Sequence, residues 1–435
     1  MNIVQITPGA GGMYCGNCFR DNALVAELRQ LGHDVLMVPL YLPMTLDEDD
    51  QSTGTPIFFN GVNVYLEQKS SFFRSAPKWM HRAVQAIAEF PLFAKQINKQ
   101  AGKTRAEDVG DLTISMLKGE VGNQARELDE LIAFLKSQPN KPEVVCLSNA
   151  MLVGFARKMK KELGSQIVCQ LQGEDAYLDS MKEPERTQVW ETMTERSLDV
   201  DLFVAPSRYF GETMARRLSL PMEKVAVVPN GINLEGYLVE DLTAPAPEPP
   251  VLGFFARMCE EKGLSLLVET FINLKRREAM KKLRLKIGGG CGPGDEAYVK
   301  RLRKHLRTEG VLGDVEFHPN LDREQKQEFF KSLSVLSVPA LYGEAFGLYL
   351  VEAMAAGVPV VQPRHAAFPE IVEQSAAGVI AEPNAGSLAD AIESVLSNPS
   401  SHNAYRKSAV AAAKEKYSIE VMARNMIATL DKKRN

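Results

Sequence analysis

Two glutamates within one stretch of small and apolar residues form the most informative chemical feature of the chain. The stretch Ala340 to Gln362 reads ALYGEAFGLYLVEAMAAGVPVVQ. A strand that ends near Val338 leads into a loop holding Glu344, and the spacing predicts a helix that begins at about Gly347 and carries Glu352. Backbone N–H groups at such a helix start favour a phosphate or another anion. The two carboxylates are therefore predicted to face one ligand at different points along it.

The residues between the two glutamates add to this hypothesis. Leu348 lies one helical turn before Glu352 and shares its face of the predicted helix. Phe346 stands between two small residues, which indicates a backbone that must come close to the ligand. The alternative interpretation is an ordinary strand-loop-helix corner with solvated glutamates.

Two cations occur in a second segment, FFARMCEEKG, at Phe254 to Gly263. Arg257 ends a predicted strand and Lys262 enters the next helix, so both can converge at the carboxyl end of a sheet, where open α/β folds bind ligands. A fork-shaped donor and a point charge together suit a diphosphate whose charge grows as it leaves. The alternative is a surface pair of cations that interact with Glu260 and Glu261.

The amino-terminal region holds weaker signals. Gly11 and Gly12 follow the first predicted strand, and their missing side chains let backbone amides approach a phosphate or a sugar. Cys15 and Cys18 have redox or zinc spacing, but no second cysteine pair and no nearby histidine supplies further ligands, so loop packing is favoured. The chain has no histidine and carboxylate cluster with catalytic-metal spacing, so we expect no metal and no cofactor.

An α/β scaffold is predicted to position these residues in the first part of the chain. The opening reads strand Asn2 to Thr7, glycine loop, helix Cys18 to Leu31 with Gly32 as its cap, and strand Asp34 to Pro39. This is a βαβ unit. Apolar strand-like runs recur with helical stretches between them, at Val144 to Leu147, Gln166 to Leu171 and Leu202 to Ala205.

A proline-rich segment separates this region from a second one of the same kind. Thr243 to Pro250, TAPAPEPP, contains four prolines and is the best linker candidate. After it the pattern restarts with strands at Val251 to Ala256, Leu283 to Gly288, Val315 to His318 and Val335 to Val338. Helices are predicted at Leu264 to Arg276 and Glu296 to Arg307. We place one lobe at residues 1–240, the linker at 241–250 and a second lobe at 251–416.

Composition and charge exclude several classes of protein. The chain has 435 residues, and 51 basic against 55 acidic side chains give a formal charge of −4, which argues against a general nucleic-acid binder. A hydrophobic fraction of 45% fits a folded soluble protein of two lobes. Six scattered cysteines favour a reducing cytoplasm over a secreted disulfide framework. We expect neither an export signal nor a membrane span.

The segment from residue 71 to residue 100 differs from the rest of the first lobe. It combines five large aromatic side chains with five cations and one acid. This make-up is that of a basic amphipathic helix able to lie on an anionic membrane. The favoured alternative is an insertion that packs its aromatic residues on the first lobe.

The glutamate string resembles the signature of family 4 glycosyltransferases, which is Glu, seven residues, Glu, then Ala-Met-Ala-Ala-Gly-x-Pro-Val-Val. Residues Glu344 to Val361 match it. The likeness covers essentially the whole chain, is strong after Pro206, and includes VVPNGINLEGY at Val227 to Tyr237. It implies a GT-B fold of two Rossmann-like lobes facing a cleft, with a terminal helix at 417–435 crossing back to the first lobe.

The resemblance also implies residue roles. The first glutamate, Glu344, would contact the donor sugar and the second, Glu352, would hold the ribose hydroxyls. Arg257 and Lys262 would lie against the nucleotide diphosphate. The donor side further includes Gly12, Phe346, Gly347 and Leu348.

On the acceptor side the resemblance points to Gly11 and to the strand end at Leu171 to Asp179, LQGEDAYLD. Many family members carry a histidine there that contacts the donor sugar near the reacting carbon. Here Gln172 occupies the position. Glutamine can donate a hydrogen bond but cannot titrate, so any role that depends on histidine is in doubt.

Together these observations predict a retaining, metal-independent transferase that moves a sugar from a nucleotide diphosphate sugar to a hydroxyl of a glycan, lipid or small-molecule acceptor. One alternative is a related sugar-nucleotide enzyme of the same fold, such as a phosphorylase or an epimerase. Another is a catalytically silent nucleotide-sugar-binding protein, which the glutamine at position 172 keeps open.

Overall fold

The computed structural model describes residues 1–9, 16–44, 46–70, 110–239, 241–242 and 247–434. Two compact units emerge, one made of Met1–Val228 with Asn425–Asn435 and the other of Pro229–Arg424. The lobe boundaries taken from the sequence, 1–240 with 417–435 and 251–416, remain a prediction. The segment 71–100, interpreted as a packed insertion or a membrane-binding helix, lies outside the described residues, as does half of the proline-rich run, residues 243–246.

The first unit contains a parallel sheet of six strands in the order β2-β1-β3-β4-β5-β6. Strand β1, second from the edge, pairs on both sides, since Ile3 lies opposite Val35 in β2 and Val144 in β3. The strands are β1 Asn2–Pro8, β2 Asp34–Leu40, β3 Val144–Leu147, β4 Gln166–Gln170, β5 Leu202–Ala205 and β6 Val225–Val227.

The second unit repeats this architecture with the order β12-β11-β10-β7-β8-β9. Strands β7 and β10 are neighbours although the chain visits two other strands between them, so the strand order reverses there. Ligands of open α/β sheets bind beside such a reversal, outside the carboxyl ends of the strands. The strands are β7 Val251–Phe255, β8 Arg284–Gly289, β9 Val315–Pro319, β10 Val335–Leu336, β11 Val360–Pro363 and β12 Gly378–Ala381.

Helices connect the strands of both sheets. Those before the second sheet are α1 Gly16–Gln30, α2 Gly61–Lys69, α3 Gly110–Leu117, α4 Ala125–Lys136, α5 Ala156–Leu163, α6 Glu174–Asp179, α7 Glu185–Ser197 and α8 Arg208–Arg217. Those that follow are α9 Leu264–Lys275, α10 Glu296–Thr308, α11 Arg323–Lys331, α12 Leu348–Ala355, α13 Phe368–Ser375, α14 Ala385–Ser397, α15 Pro399–Lys416 and α16 Ile419–Arg434.

The strands form where the sequence is continuously apolar. Every residue of β3 (VVCL) and of β7 (VLGFF) is buried. A parallel sheet covered by helices on both faces has no solvent side, so its central strands need no alternation of polar and apolar residues. This confirms the α/β fold class with two Rossmann-like units.

Nine predicted strands are present, within two residues of their predicted bounds. Three of the strands are not predicted from the sequence, namely β6, β11 and β12. Each has only three or four residues, and pairing with a neighbouring strand defines such a short strand more than its own pattern does. The terminal apolar stretch does form a helix, α16.

Candidate active site

The reversal of strand order in the second unit positions three of the predicted site residues. Arg257 stands two residues after β7, and Lys262 lies in the turn between β7 and α9. Glu344 lies in the loop between β10 and α12. Because β7 and β10 are adjacent and parallel, their carboxyl ends bring these two loops to the same edge of the sheet.

A glycine lets the two loops touch. Gly263 has a φ of +74°, and a β-carbon there would lie 1.7 Å from the carbonyl oxygen of Pro339. Next to this contact, the backbone N–H of Leu341 donates to the carbonyl of Glu261 over 2.9 Å. Only glycine fits this left-handed turn against another backbone, and the close approach brings Lys262 to Glu344.

The carboxylate of Glu344 is the centre of a compact hydrogen-bonded cluster. Its Oε2 lies 2.6 Å from Lys262 Nζ and accepts hydrogen bonds from the hydroxyls of Tyr349 at 2.9 Å and Tyr342 at 3.2 Å. Lys262 also donates to the hydroxyl of Tyr342. In the described residues all contacts of this carboxylate are made through Oε2, which leaves Oε1 to accept a hydrogen bond from a ligand.

Burial and charge act against each other in this cluster. Burial alone would raise the pKa of Glu344, but the ammonium of Lys262 and the hydrogen bonds outweigh it and hold that pKa below its usual range. Burial would likewise lower the pKa of Lys262, and the adjacent Glu344 and Tyr342 raise it instead. The pair is therefore ionised at neutral pH. Tyr342 and Tyr349, whose pKa values are raised chiefly by burial, remain neutral donors.

Helix α12 starts beside this cluster as the sequence predicts. Gly347 is its N-cap with a φ of +86°, and Leu348 is its first residue. A β-carbon on Gly347 would come within 3.0 Å of the ring of Tyr349, so this turn also requires glycine. Phe346 is buried and packs edge-on against Tyr417 at 5.9 Å between ring centroids. Phe346 therefore anchors the loop through its side chain.

The second glutamate, Glu352, lies one helical turn further along α12 and is buried. Its Oε1 lies 3.1 Å from Lys326 Nζ and accepts a hydrogen bond from the hydroxyl of Tyr237 at 3.3 Å. Sequence reasoning gave no role to Lys326, and it named no site residue in the segment Val227 to Tyr237. Both residues lie in other elements, far from Glu352 along the chain, so no sequence pattern links either of them to this glutamate.

Arg257 makes a two-pronged ion pair with Asp295, the residue before α10. Its Nε lies 3.1 Å from Oδ2 and its Nη2 lies 3.0 Å from Oδ1. The N–H of Gly292 also donates to Asp295 Oδ2 at 3.0 Å, which orients the carboxylate. The arginine side chain is 65% exposed, so its Nη1 end is open to a ligand. The ion pairs of the two predicted cations are thus with Asp295 and Glu344, whereas the sequence offered Glu260 and Glu261 as the alternative partners.

In the first unit, Gln172 follows β4 and is half-buried. Its backbone N–H donates to Glu174 Oε2 at 2.8 Å, and the N–H of Ala150 donates to Glu174 Oε1 at 2.7 Å. Burial raises the pKa of Glu174 despite these bonds. The carboxylate of Glu174 therefore ties the loop that follows β4 to the loop that follows β3.

The other predicted residues of the first unit, Gly11 and Gly12, lie outside the described residues, as does Cys15. Cys18 is buried and disulfide-bonded. The sequence favoured simple packing of this cysteine in a loop and did not predict a disulfide bond.

Within the described ranges no group of three or more histidine, cysteine, aspartate or glutamate side chains could hold a metal ion. Two aspartates with one residue between them, Asp199 and Asp201, precede β5. They pair with Arg157 at 3.0 Å and with Lys160, respectively. Among the helices that the structure describes, none is long and apolar enough to cross a membrane.

Two family models match this chain. Residues 242–414 match "Glycosyl transferases group 1", and residues 113–235 match "Glycosyltransferase Family 4". Together they include every site residue described in the second unit except Tyr237 and Tyr417, as well as Gln172 in the first.

Similar proteins agree with the family models. A D-inositol 3-phosphate glycosyltransferase of Streptomyces scabiei is 29% identical over 213 residues, which are 47% of this chain and 47% of that protein. The chain thus spans about half the length of the curated relatives it matches.

Solved structures show the same fold over nearly the full length. The Anabaena protein HepE in complex with UDP and glucose superposes with a TM-score of 0.67 at 15% identity, covering 99% of this chain and 100% of that one. Sucrose-phosphate synthase of Thermosynechococcus elongatus gives a TM-score of 0.68 at 17% identity, covering 99% and 98%. The likeness to these solved structures shows the GT-B fold. The two family models, over residues 113–235 and 242–414, together with the glutamate motif on α12 and its preceding loop, show that the chain belongs to the family 4, group 1 glycosyltransferases.

Proposed function

We propose that this protein is a retaining glycosyltransferase that moves a sugar from a nucleotide diphosphate sugar to an acceptor hydroxyl without a metal ion. The observation that carries the proposal is the cluster at the carboxyl ends of β7 and β10. There Lys262 Nζ and Glu344 Oε2 lie 2.6 Å apart. Arg257 lies in the same loop as Lys262, just after the end of β7. Two cations suited to a diphosphate, Arg257 and Lys262, and a carboxylate suited to a sugar, Glu344, therefore lie where the strand order of the sheet reverses.

The cations would stabilise the leaving group. As the bond between the anomeric carbon and the diphosphate oxygen breaks, negative charge grows on the diphosphate and the sugar becomes oxocarbenium-like. Arg257 can meet this charge through Nη1, because Asp295 uses only Nε and Nη2. Lys262 is held nearby with its charge kept by the raised pKa. Preorganised charges of this kind contribute most in the transition state.

The two glutamates would orient the donor. Oε1 of Glu344 is available for a sugar hydroxyl because its Oε2 takes all three contacts of the cluster. Glu352 would accept from the ribose hydroxyls. A phosphate oxygen of the leaving diphosphate, on the same face of the sugar, would take the acceptor's proton while the acceptor oxygen bonds to that face. This sequence retains the anomeric configuration and needs no carboxylate nucleophile.

The first test measures release of nucleoside diphosphate from UDP-glucose, GDP-mannose and ADP-glucose, each incubated with the full chain. UDP-glucose comes first because the similar HepE structure holds UDP and glucose. D-inositol 3-phosphate belongs in the acceptor panel because a similar protein is named for it. Proton NMR of the glycoside gives the anomeric configuration, and an inverted product would refute the retaining mechanism.

Variants connect the activity to the site. Glu344→Gln should abolish most transfer, whereas Glu328→Gln should not, because Glu328 is 76% exposed on α11 and pairs only loosely with Lys331 at 3.4 Å. Full activity of Glu344→Gln with the accepted donor would exclude the site assignment. Donor binding with no diphosphate release under any acceptor condition would instead identify a nucleotide-sugar-binding protein, and release that depends on inorganic phosphate would identify a phosphorylase.

A further inference from the structure

Lys326 is a cation in an unusual environment. It lies on α11, where its neighbours Arg323 and Lys331 are part of a polar surface, yet its own side chain is only 5% exposed. Its Nζ lies 3.1 Å from Glu352 Oε1. An ammonium group is costly to bury, and buried ion pairs contribute little net stability compared with apolar residues of similar size. A role other than packing would explain the lysine at this position.

Tyr237 meets the same oxygen from a different part of the chain. Its hydroxyl donates to Glu352 Oε1 at 3.3 Å, and its ring is 2% exposed. The ring packs against Phe330 of α11 at 6.2 Å between centroids and lies under the Lys326 ammonium, 5.6 Å away. Tyr237 thus supports both Glu352 and the cation that pairs with it.

The two contacts determine how the carboxylate is presented. In the described part of the chain, both polar contacts of Glu352 go to Oε1. The carboxylate cannot rotate without breaking one of them, so Oε2 is held in one direction. A flexible glutamate side chain would lose conformational entropy when it binds a ligand. Here the side chain is already ordered by folding, so binding does not carry this entropic cost.

We propose that Lys326 and Tyr237 are positioning residues that aim Oε2 of Glu352 at the ribose hydroxyls of the bound nucleotide. The inference rests on the proposed function, since it requires a ribonucleotide at this site. It adds that discrimination for ribose depends on two residues outside the glutamate motif.

The experiment compares each nucleotide with an analogue that lacks the ribose hydroxyls. Calorimetry with UDP, GDP and ADP first finds which nucleoside diphosphate the wild-type chain binds. The same titration with its 2′,3′-dideoxy form then gives a discrimination ratio. Because hydrogen bonds to a charged group are lost, the wild type should bind the dideoxy form roughly tenfold to a hundredfold more weakly.

Three variants are then titrated with both ligands. Lys326→Met and Tyr237→Phe should reduce the ratio to about threefold or less by weakening ribonucleotide binding, with the dideoxy affinity nearly unchanged. Tyr237→Phe keeps the packing against Phe330, so it remains informative if Lys326→Met does not fold. Lys331→Met is the matched control on the same helix. Its lysine pairs with Glu328 at the surface, and its ratio should equal that of the wild type.

The possible results distinguish the positioning role of Lys326 and Tyr237 from the proposed function itself. A collapsed ratio in Tyr237→Phe, or in both variants, with a normal ratio in the control supports the inference. An unchanged ratio in folded variants, even with lower thermal stability, would mean that Lys326 and Tyr237 are structural, and it would overturn the inference while leaving the proposed function intact. Failure of the wild type to bind any of the three nucleotides would overturn the proposed function and the inference with it.

Discussion

Replacing Lys262 by methionine tests the central ion pair through the stability of the protein. The substitution keeps most of the side-chain volume and removes the ammonium 2.6 Å from Glu344. Glu344 would retain the hydroxyls of Tyr342 and Tyr349 as donors. The carboxylate would therefore stay hydrogen-bonded but lose its counter-charge.

The expected cost follows from burial. Removing one partner of a fully buried ion pair costs about 3–5 kcal/mol. Here the side chain of Lys262 is 21% exposed and that of Glu344 is 10% exposed, and two hydroxyl donors remain. We therefore expect Lys262→Met to lower the free energy of unfolding by about 2 kcal/mol at pH 7.

The pH dependence of this loss has a definite sign. In the wild type the pKa of Glu344 is below its ordinary value, so its contribution to stability is present above that value and is lost only as pH falls through the folded-state pKa. In the variant, burial is the largest influence and is no longer outweighed, so the pKa should rise above the ordinary value. The native state then binds the proton more tightly than the unfolded state, and the variant gains stability as pH falls. The difference between the two proteins should shrink from pH 7 to about pH 5.

The assay must report on the second unit. Both tryptophans, Trp79 and Trp190, precede residue 229, so tryptophan fluorescence would follow only the first part of the chain. Urea unfolding should be followed by hydrogen exchange of peptides from residues 335–355, with far-ultraviolet circular dichroism as a second probe. Lys331→Met is the control, with an expected loss of less than about 0.5 kcal/mol. A loss for Lys262→Met that is constant or larger at pH 5 would refute the assigned charge states.

Four further outcomes follow from the structure. Gly263→Ala should cost more than about 2 kcal/mol in urea unfolding, since its methyl group would meet the Pro339 carbonyl in a left-handed turn, and a near-neutral effect would refute the described turn. Arg257→Ala should lower the single-turnover rate roughly a hundredfold with little change in donor affinity, and an unchanged rate would exclude its role at the diphosphate. His402 donates to the Ser334 carbonyl at 2.8 Å and has a pKa lowered by burial. Its contribution to stability is therefore present above the ordinary histidine value of about 6.5 and is lost as pH falls below that value through the folded-state pKa. His402→Gln should show a smaller decline in stability on acidification, and parallel profiles would contradict this. Transfer should persist in excess chelator, and its loss with recovery on adding a divalent ion would contradict metal independence.

The local pattern of the sequence determined the elements of the fold. Continuous apolar runs such as β3 and β7 identify strands of a parallel sheet because both faces are buried. Helical spacing and glycine breaks identify the helices that cover them. The short strands β6, β11 and β12 escaped this reasoning because pairing in the sheet defines them.

The sequence also supplied the chemical groups of the site. Glu344, Glu352, Arg257 and Lys262 lie in two short motifs whose residue types suit a sugar and a diphosphate. What the motifs could not give was the pairing of these groups. Asp295, for example, follows a glycine-rich loop and carries no signal that it would bind Arg257.

Only the tertiary structure decided which oxygen of each glutamate contacts neighbouring side chains among the described residues. Lys262 reaches Glu344 because β7 and β10 are adjacent, and because Gly263 lets the two loops meet. Lys326 and Tyr237 reach Glu352 from a helix and a loop that are distant from it in sequence. Residue type and spacing along one element encode helices and strands, since those contacts are local. The orientation of a buried carboxylate depends instead on distances between atoms of different elements, and these exist only once the sheet has placed its loops at one edge.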